Sequence, residues 1–176
     1  MLTEGKPYMD NAFSKLYEDL YALMEKTTPM LFDCGLLCSS ACCSGSRGML
    51  LFPGEDEYLE HISHDFSIID TNISYGSEKV RLLNCTGTCN REKRPLACRI
   101  FPLFPFYRGD RISVEFDPRA VGTCPLLYED IEGIYTSGLF RLKVLEAGYM
   151  LSLHDKTAGF LRMMTEELDE IARFRK

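Results

Sequence analysis

The cysteine pattern constrains this chain more than any other feature of its sequence. Four cysteines stand within ten positions of the stretch FDCGLLCSSACCSGSRG, residues 32–48, and four more follow by position 124. A chain of 176 residues can bury a core without help from metals or disulfides, so the thiols need another explanation. The two groups are Cys34, Cys38, Cys42 and Cys43, followed by Cys85, Cys89, Cys98 and Cys124.

The first group cannot serve one metal ion from one straight helix. Cys34 and Cys42 would then lie about 12 Å apart along the axis, whereas each zinc–sulfur bond is about 2.3 Å long. Either the backbone bends at Gly35 or around Ser39-Ser40, or the group supplies more than one site. Adjacent Cys42 and Cys43 point in different directions in any regular structure, which favours two sites or one polynuclear cluster.

The second group stands in surroundings that favour thiolates, the form that binds metal. Cys85 and Cys89 flank a glycine-containing turn, CTGTC, and Cys124 precedes Pro125 at a predicted helix start, where the helix dipole stabilises negative charge. Cys98 lies beside Arg99 and four residues after Arg94, whose charges would lower its pKa. The alternative for Cys98 and Cys124 is a buried apolar cysteine.

Compartment and partners are predicted from charge and hydropathy. The first twenty residues show no apolar core of signal-peptide length, and no window approaches the roughly 18 apolar residues of a membrane span. We therefore expect a cytoplasmic protein without membrane association, in a compartment that keeps thiols reduced. The net charge of −6 argues against a nucleic-acid partner. A protein or redox partner stays open.

Helical periodicity marks both ends of the chain. An apolar stripe predicts an amphipathic helix over residues 11–26. Two more helices close the chain, one from about Pro125 to Ala147 with Gly148 as its C-terminal cap, and one after Asp155. The predicted buried face of the first closing helix contains Ile131, Ile134, Tyr135, Gly138, Leu142 and Leu145. That of the second contains Leu161, Met164, Leu168 and Ile171.

The middle of the chain is predicted to contain short strands. The runs at 49–52, 66–83 and 111–116 have strand character, and 55–62 fits a short helix. The fold expected is α+β: one small domain over 1–176, with amphipathic helices at both ends around an irregular, cysteine-rich, metal-binding section at about 30–130.

All-sulfur ligation suits zinc or iron, including an iron–sulfur cluster, and spacing does not separate them. The chain has no C-x2-C knuckle of the zinc-ribbon kind. His61 and His64, with Asp65, could complete a mixed site; the alternative is an exposed helix end.

The pattern C-x3-C-x3-C-C, then CTGTC, RPLACRIFPLFP and a last cysteine before a helix, resembles the cysteine-cluster family of zinc- or iron-chelating domains. The resemblance covers about residues 30 to 130, although that family more commonly has two residues between its first cysteines. It implies metal binding by all eight cysteines, with an unestablished biological role. Some members have been called iron–sulfur oxidoreductases, and a related domain occurs in flagellin lysine N-methylases.

Three functions remain open at this point. The first is a redox or metal-handling protein with an eight-cysteine centre in two groups. The second is a methyltransferase-type enzyme related to the lysine N-methylases. The third is a structural module in which metal braces irregular backbone and the surface binds another protein.

Overall fold

A computed structural model describes residues 11–43, 48–62, 66–85, 91–129 and 136–174. These residues form helices and antiparallel strands, which confirms the prediction of a small α+β protein. The helices are α1 (Asn11–Met24), α2 (Gly35–Cys38), α3 (Glu55–Ile62), α4 (Leu96–Ile100), α5 (Leu126–Glu129), α6 (Gly138–Ser152) and α7 (Asp155–Phe174). The strands are β1 (Met49–Leu50), β2 (Ser67–Tyr75), β3 (Glu78–Asn84), β4 (Leu103–Arg108) and β5 (Arg111–Phe116).

The strands form two antiparallel sheets. One has the order β1-β3-β2, and the other is the hairpin of β4 and β5. Gly76 and Gly109 make the two hairpin turns with φ of +56° and +60°, a left-handed conformation that glycine adopts without steric cost. β4 escaped prediction because residues 103–106 are all buried, so the strand lacks the alternation that marks a half-exposed one.

The core lies where α1, α6 and α7 pack with the β4–β5 hairpin and the β1–β3 pair. The amphipathic predictions for both chain ends are confirmed. Tyr17 and Leu20 are fully buried on α1, and Leu161 and Leu168 are fully buried on α7. These helices bury one apolar stripe and expose the opposite face, which is why their sequences reveal it.

The single helix predicted from Pro125 to Ala147 is wrong. α5 ends at Glu129, and α6 begins at Gly138, where the Ser137 hydroxyl accepts a hydrogen bond from the Phe140 N–H at 3.4 Å. Residues 130–135, with three of the predicted core positions, lie outside the described residues. A serine N-cap starts a helix by accepting from its first N–H groups.

The predicted buried face of this helix is also wrong. Leu142 is 64% exposed and Gly138 is exposed, while Leu145 is half-buried. Gly148, predicted as the C-terminal cap, lies inside α6. The helix carries apolar residues on all sides, so periodicity alone cannot select the face that packs. The residues that α6 buries are Phe140, Val144, Ala147, Gly148 and Leu151.

Candidate metal centre

The segment that leads to the first cysteines is held by residues from distant parts of the chain. The Arg91 guanidinium donates to the carbonyl oxygens of Glu25 at 3.0 Å and Thr27 at 2.5 Å. The Ser137 N–H donates to the Pro29 carbonyl at 2.7 Å. The chain after α1 therefore takes its path from tertiary hydrogen bonds rather than from regular secondary structure.

The backbone of the first cysteine group bends sharply. An Asp33 carboxylate oxygen accepts from the Gly35 N–H at 2.9 Å and opens the short helix α2. After Cys38, Ser39 and Ser40 have φ of +50° and +54°, and the turn Ala41–Cys43 follows. Two successive left-handed residues reverse the chain. Of the alternatives drawn from the sequence, the structure has the bend around Ser39-Ser40.

Four thiols line one small cavity as a result of this bend. Cys34, Cys38 and Cys42 contribute from the bent segment, and Cys124 contributes from the chain just before α5. The Met30 thioether side chain completes the sulfur-rich lining. The cavity measures about 30 Å³, which is room for one water molecule or one ion. Sequence reasoning placed Cys124 in the other group and missed Met30.

The donor chemistry of this cavity fits a thiophilic ion, but its present geometry is not that of a closed site. Thiolate and thioether sulfurs are soft ligands that suit zinc, copper(I) or iron–sulfur species. Among the described residues, however, no three histidine, cysteine or acidic side chains stand close enough to hold an ion. The Cys38 thiol instead lies 3.5 Å from the Cys34 carbonyl oxygen, to which it donates. Metal binding would require the thiols to release protons and draw together.

Cys42 and Cys43 form a vicinal thiol pair, with their Sγ atoms 3.9 Å apart. The hydrogen bond from Cys42 lowers the pKa of Cys43 to about 6, and the charge of Arg94 acts in the same direction. The same hydrogen bond, together with burial, raises the pKa of Cys42. One proton is thus held on Cys42 while Cys43 carries the thiolate at neutral pH.

Burial opposes thiolate formation at Cys34 and Cys124. It raises the pKa of Cys34, and the negative charge of a thiolate at Cys38 or Cys124 acts in the same direction. Burial also raises the pKa of Cys124, although the N–H groups of Leu126 and Leu127 act to lower it. The expected effect of the helix start at Cys124 is present, but burial outweighs it. A bound cation would reverse this balance.

Cys85 and Cys98 are not among the residues that line this cavity. Cys85 packs against the hydrophobic core at the end of β3, and Cys98 lies half-buried on α4. Cys89 lies outside the described residues. No disulfide links the seven described cysteines. The eight-sulfur ligand set therefore stays a prediction, of which the structure gathers four members around one cavity.

Arg99 contacts α1 and the backbone that precedes α4. Its guanidinium stacks over the Tyr21 ring, 4.1 Å from the ring centroid, and donates to the carbonyls of Glu92 and Arg94. The charge of Arg91 acts to lower the pKa of Cys34, and that of Arg94 acts to lower the pKa of Cys43. Arg99 thus braces the backbone before α4.

Sequence reasoning also missed Glu55, a fully buried carboxylate at the start of α3. It accepts hydrogen bonds from Tyr21, from the Phe52 N–H and from the Leu96 N–H. A glutamate that reaches back to the N–H three residues earlier has the spacing of a capping box. The residue three positions earlier is Phe52 rather than the serine or threonine of that motif, so the sequence carried only the spacing.

His61 lies exposed in the last turn of α3, while His64 and Asp65 lie outside the described residues. The mixed-site alternative thus stays a prediction. No helix in the described part of the chain has the length and apolar character to cross a lipid bilayer.

Fold and cavity together define a small α+β protein in which two distant chain segments meet at a thiol-lined cavity. Comparisons with models of known protein families, with curated proteins and with solved structures gave no match. The resemblance of the cysteine pattern to the cysteine-cluster family stays a prediction.

Proposed function

We propose that this chain is a metal-binding protein of redox or metal-handling type, in which Cys34, Cys38, Cys42 and Cys124 bind one zinc or iron ion. The single observation that carries the proposal is the cavity that these four thiols share. Cys124 lies far from the other three in sequence, so a shared cavity needs tertiary packing. Four sulfurs around a cavity of ion size provide the donor set of a tetrahedral thiolate site.

The other four cysteines extend the proposal. Cys43 adjoins the cavity through Cys42, and Cys85, Cys89 and Cys98 would supply a second ion or complete an iron–sulfur cluster. This two-group centre agrees with the resemblance to the cysteine-cluster family. The named function includes no substrate, because no described residue of the cavity offers a group selective for one.

The test is metal analysis with an optical spectrum on protein purified without oxygen. We expect zinc or iron at one equivalent or more, and iron with acid-labile sulfide would indicate a cluster. Cys38→Ser and Cys124→Ser should each remove at least one equivalent. Thr123→Val changes a residue of the same cavity without removing a sulfur and should keep the full metal content.

Cys85→Ser and Cys98→Ser distinguish a four-cysteine site at the cavity from a single eight-cysteine centre. If they keep the metal that Cys124→Ser loses, the first site is complete with the four cavity thiols. If they lose the same metal, one eight-sulfur centre is present. Wild-type protein without metal under either condition would refute the proposal.

A second candidate is a metal-braced interaction module, favoured by the apolar surface beside the cavity. Leu31 is 94% exposed and Leu36 is 82% exposed, and Phe32 and Leu37 are also exposed. Adjacent exposed apolar side chains of this size are typical of binding surfaces. X-ray absorption on the metal-bound protein distinguishes the roles: four protein sulfurs with no exchangeable ligand indicate a structural ion, and an exchangeable ligand indicates chemistry.

A further inference from the structure

The face of α6 that points away from the core is apolar. Leu139, Leu142, Tyr149 and Leu153 lie on it and are 59%, 64%, 52% and 81% exposed. Glu146 is the exposed charged residue among them, and Leu153 directly follows the helix in helical backbone conformation. These five residues are called the outer stripe of α6 below.

The outer stripe lies opposite the face that α6 buries. At 3.6 residues per turn its members fall within an arc of about 80°, and the buried residues of α6 fall on the other side of the helix. Those other sides pack against α1, α7 and the β4–β5 hairpin. A surface helix normally has a polar outer face, and a helix that is apolar all round is normally buried. The outer stripe therefore has the composition of a covered surface.

The spacing of the outer stripe is that of a seam between two helices. Its positions, 139, 142, 146, 149 and 153, alternate by three and four residues. This is the spacing of the a and d residues with which one helix packs along another. The stripe thus fits a helix as its partner.

Glu146, in the middle of the stripe, selects the direction of a pair of α6 helices. A parallel pair would place Glu146 against its own counterpart, and like charges at the centre of an interface are strongly unfavourable. An antiparallel pair with its twofold axis between residues 147 and 148 places Glu146 opposite Tyr149, whose hydroxyl can donate to the carboxylate. The same pairing places Leu142 opposite Leu153. The stripe is complementary to itself in this arrangement, as a twofold interface requires.

The size of the stripe fits a weak dimer. From their exposed fractions, its four apolar side chains present on the order of 450 Å² per chain, so two copies would bury about 1,000 Å² in total. Stable complexes bury roughly 1,200–2,000 Å², and transient ones bury less. The area is therefore that of a reversible association.

We propose that a second copy of this chain covers the outer stripe, in a reversible dimer with twofold symmetry and antiparallel α6 helices. Leucine packs on leucine towards both ends of the seam, and Glu146 of each copy accepts from Tyr149 of the other. The stripe shares no residue with the candidate metal centre, so the dimer is independent of metal binding.

Sedimentation velocity of the full chain in a reductant tests the association. We expect the sedimentation coefficient to rise from that of a monomer towards that of a dimer between about 5 and about 500 µM. The reductant excludes dimers linked through the exposed Cys42. A protein that stays monomeric over this range would overturn the proposal and leave the stripe to a different partner.

Two charged variants test the pairing itself. Leu142→Glu and Leu153→Lys should each weaken self-association at least about tenfold, because each places two unpaired charges in the seam. An equimolar mixture of the two variants should dimerise again, since one layer then pairs the introduced carboxylate with the introduced ammonium group and the other pairs leucine with leucine. Parallel helices would give no such restoration, so its absence would refute the antiparallel seam.

Ile69→Glu is the matched control, because it places the same charge on an exposed apolar residue of β2, outside the stripe. It should dimerise as wild type does, and circular dichroism verifies the folding of all three variants. Dimers of wild-type affinity in Leu142→Glu and Leu153→Lys would overturn the proposal.

Discussion

The Glu55 carboxylate accepts a hydrogen bond from the backbone N–H of Leu96 at 2.5 Å, and so links the start of α3 to the start of α4. It also accepts from the Tyr21 hydroxyl of α1 at 2.7 Å and from the Phe52 N–H at 3.1 Å. One buried acid therefore joins three elements, of which α4 carries Cys98. Glu55 therefore connects the core to the helix that carries Cys98, a member of the second cysteine group.

Replacement of Glu55 by alanine should destabilise the protein severely. The change leaves three buried donors without their acceptor, so we expect the free energy of unfolding in urea to fall by about 3 kcal/mol or more. Glu57→Ala, on the exposed side of the same helix, is the control and should leave stability unchanged. Equal stability of the two variants would contradict the role assigned to Glu55.

Glu55 should also make stability depend on pH. Burial raises its pKa from the usual 4.5 to about 7, although its hydrogen bonds act to lower it. The folded state therefore holds the proton more firmly than the unfolded chain does. This stabilisation is complete below about pH 4.5 and is lost as the pH rises through about 7, which amounts to as much as about 3 kcal/mol.

Glu55→Gln carries no titratable group at this position and measures the effect by difference. We expect urea unfolding between about pH 5 and about pH 8 to show wild type losing stability relative to the glutamine variant. A constant difference between the two proteins over this range would show that Glu55 does not titrate there.

The bend at Ser40 should control metal binding. Proline at this position requires φ near −65° and removes the N–H that donates to the Gly35 carbonyl at 2.9 Å. Ser40→Pro should therefore lose the metal of the cavity site. Ser40→Gly accepts the left-handed backbone readily and should keep it. Metal analysis compares the two variants. Retention of metal by the proline variant would show that metal binding does not require the bend.

Gly148 should tolerate no side chain, because α6 packs closely on the β4–β5 hairpin. An added Cβ would come 2.6 Å from the Pro105 Cβ and 2.9 Å from the Ile112 Cγ2. We expect Gly148→Ala to cost about 1–3 kcal/mol in thermal or urea unfolding. Gly159→Ala makes the same change in α7, where the nearest contact is 3.6 Å, and should stabilise by up to about 1 kcal/mol. Effects of equal sign would contradict this packing.

Cys43 should be the first of the cavity-region thiols to react with iodoacetamide in chelator-treated protein. Its lowered pKa, about 6, makes it mostly thiolate at neutral pH, and this advantage is lost as the pH falls through that value. Mass spectrometry of labelled peptides gives the order of reaction. Cys42→Ala removes the hydrogen bond and should slow Cys43, whereas Cys34→Ala should leave its rate unchanged. Prior labelling of Cys42 would contradict the assignment.

Local patterns were enough to predict the elements that have one apolar and one polar face. α1, α7 and β5 have this character, and the structure confirms all three. The steric limit on four closely spaced cysteines was also visible, and it anticipated a bend at Ser39-Ser40 as one of its solutions. These features depend on neighbours within a few positions, so they can be inferred from the chain alone.

Other features depend on what packs against them. α6 is apolar on all sides, so the face that it buries follows from its contact with Pro105 and Ile112. Glu55 stands in an acidic run that is typical of an exposed helix start, yet α1 and α4 pack over it and bury it.

At the candidate metal centre, too, some features follow from the local sequence and others from tertiary packing. The sequence alone established the soft, thiol-rich chemistry, because that depends only on residue type and spacing. Cys124 joins Cys34, Cys38 and Cys42 at one cavity because the chain before α5 packs against the bent segment. Residues so far apart meet only when the whole chain folds, since burial of the core brings their segments together.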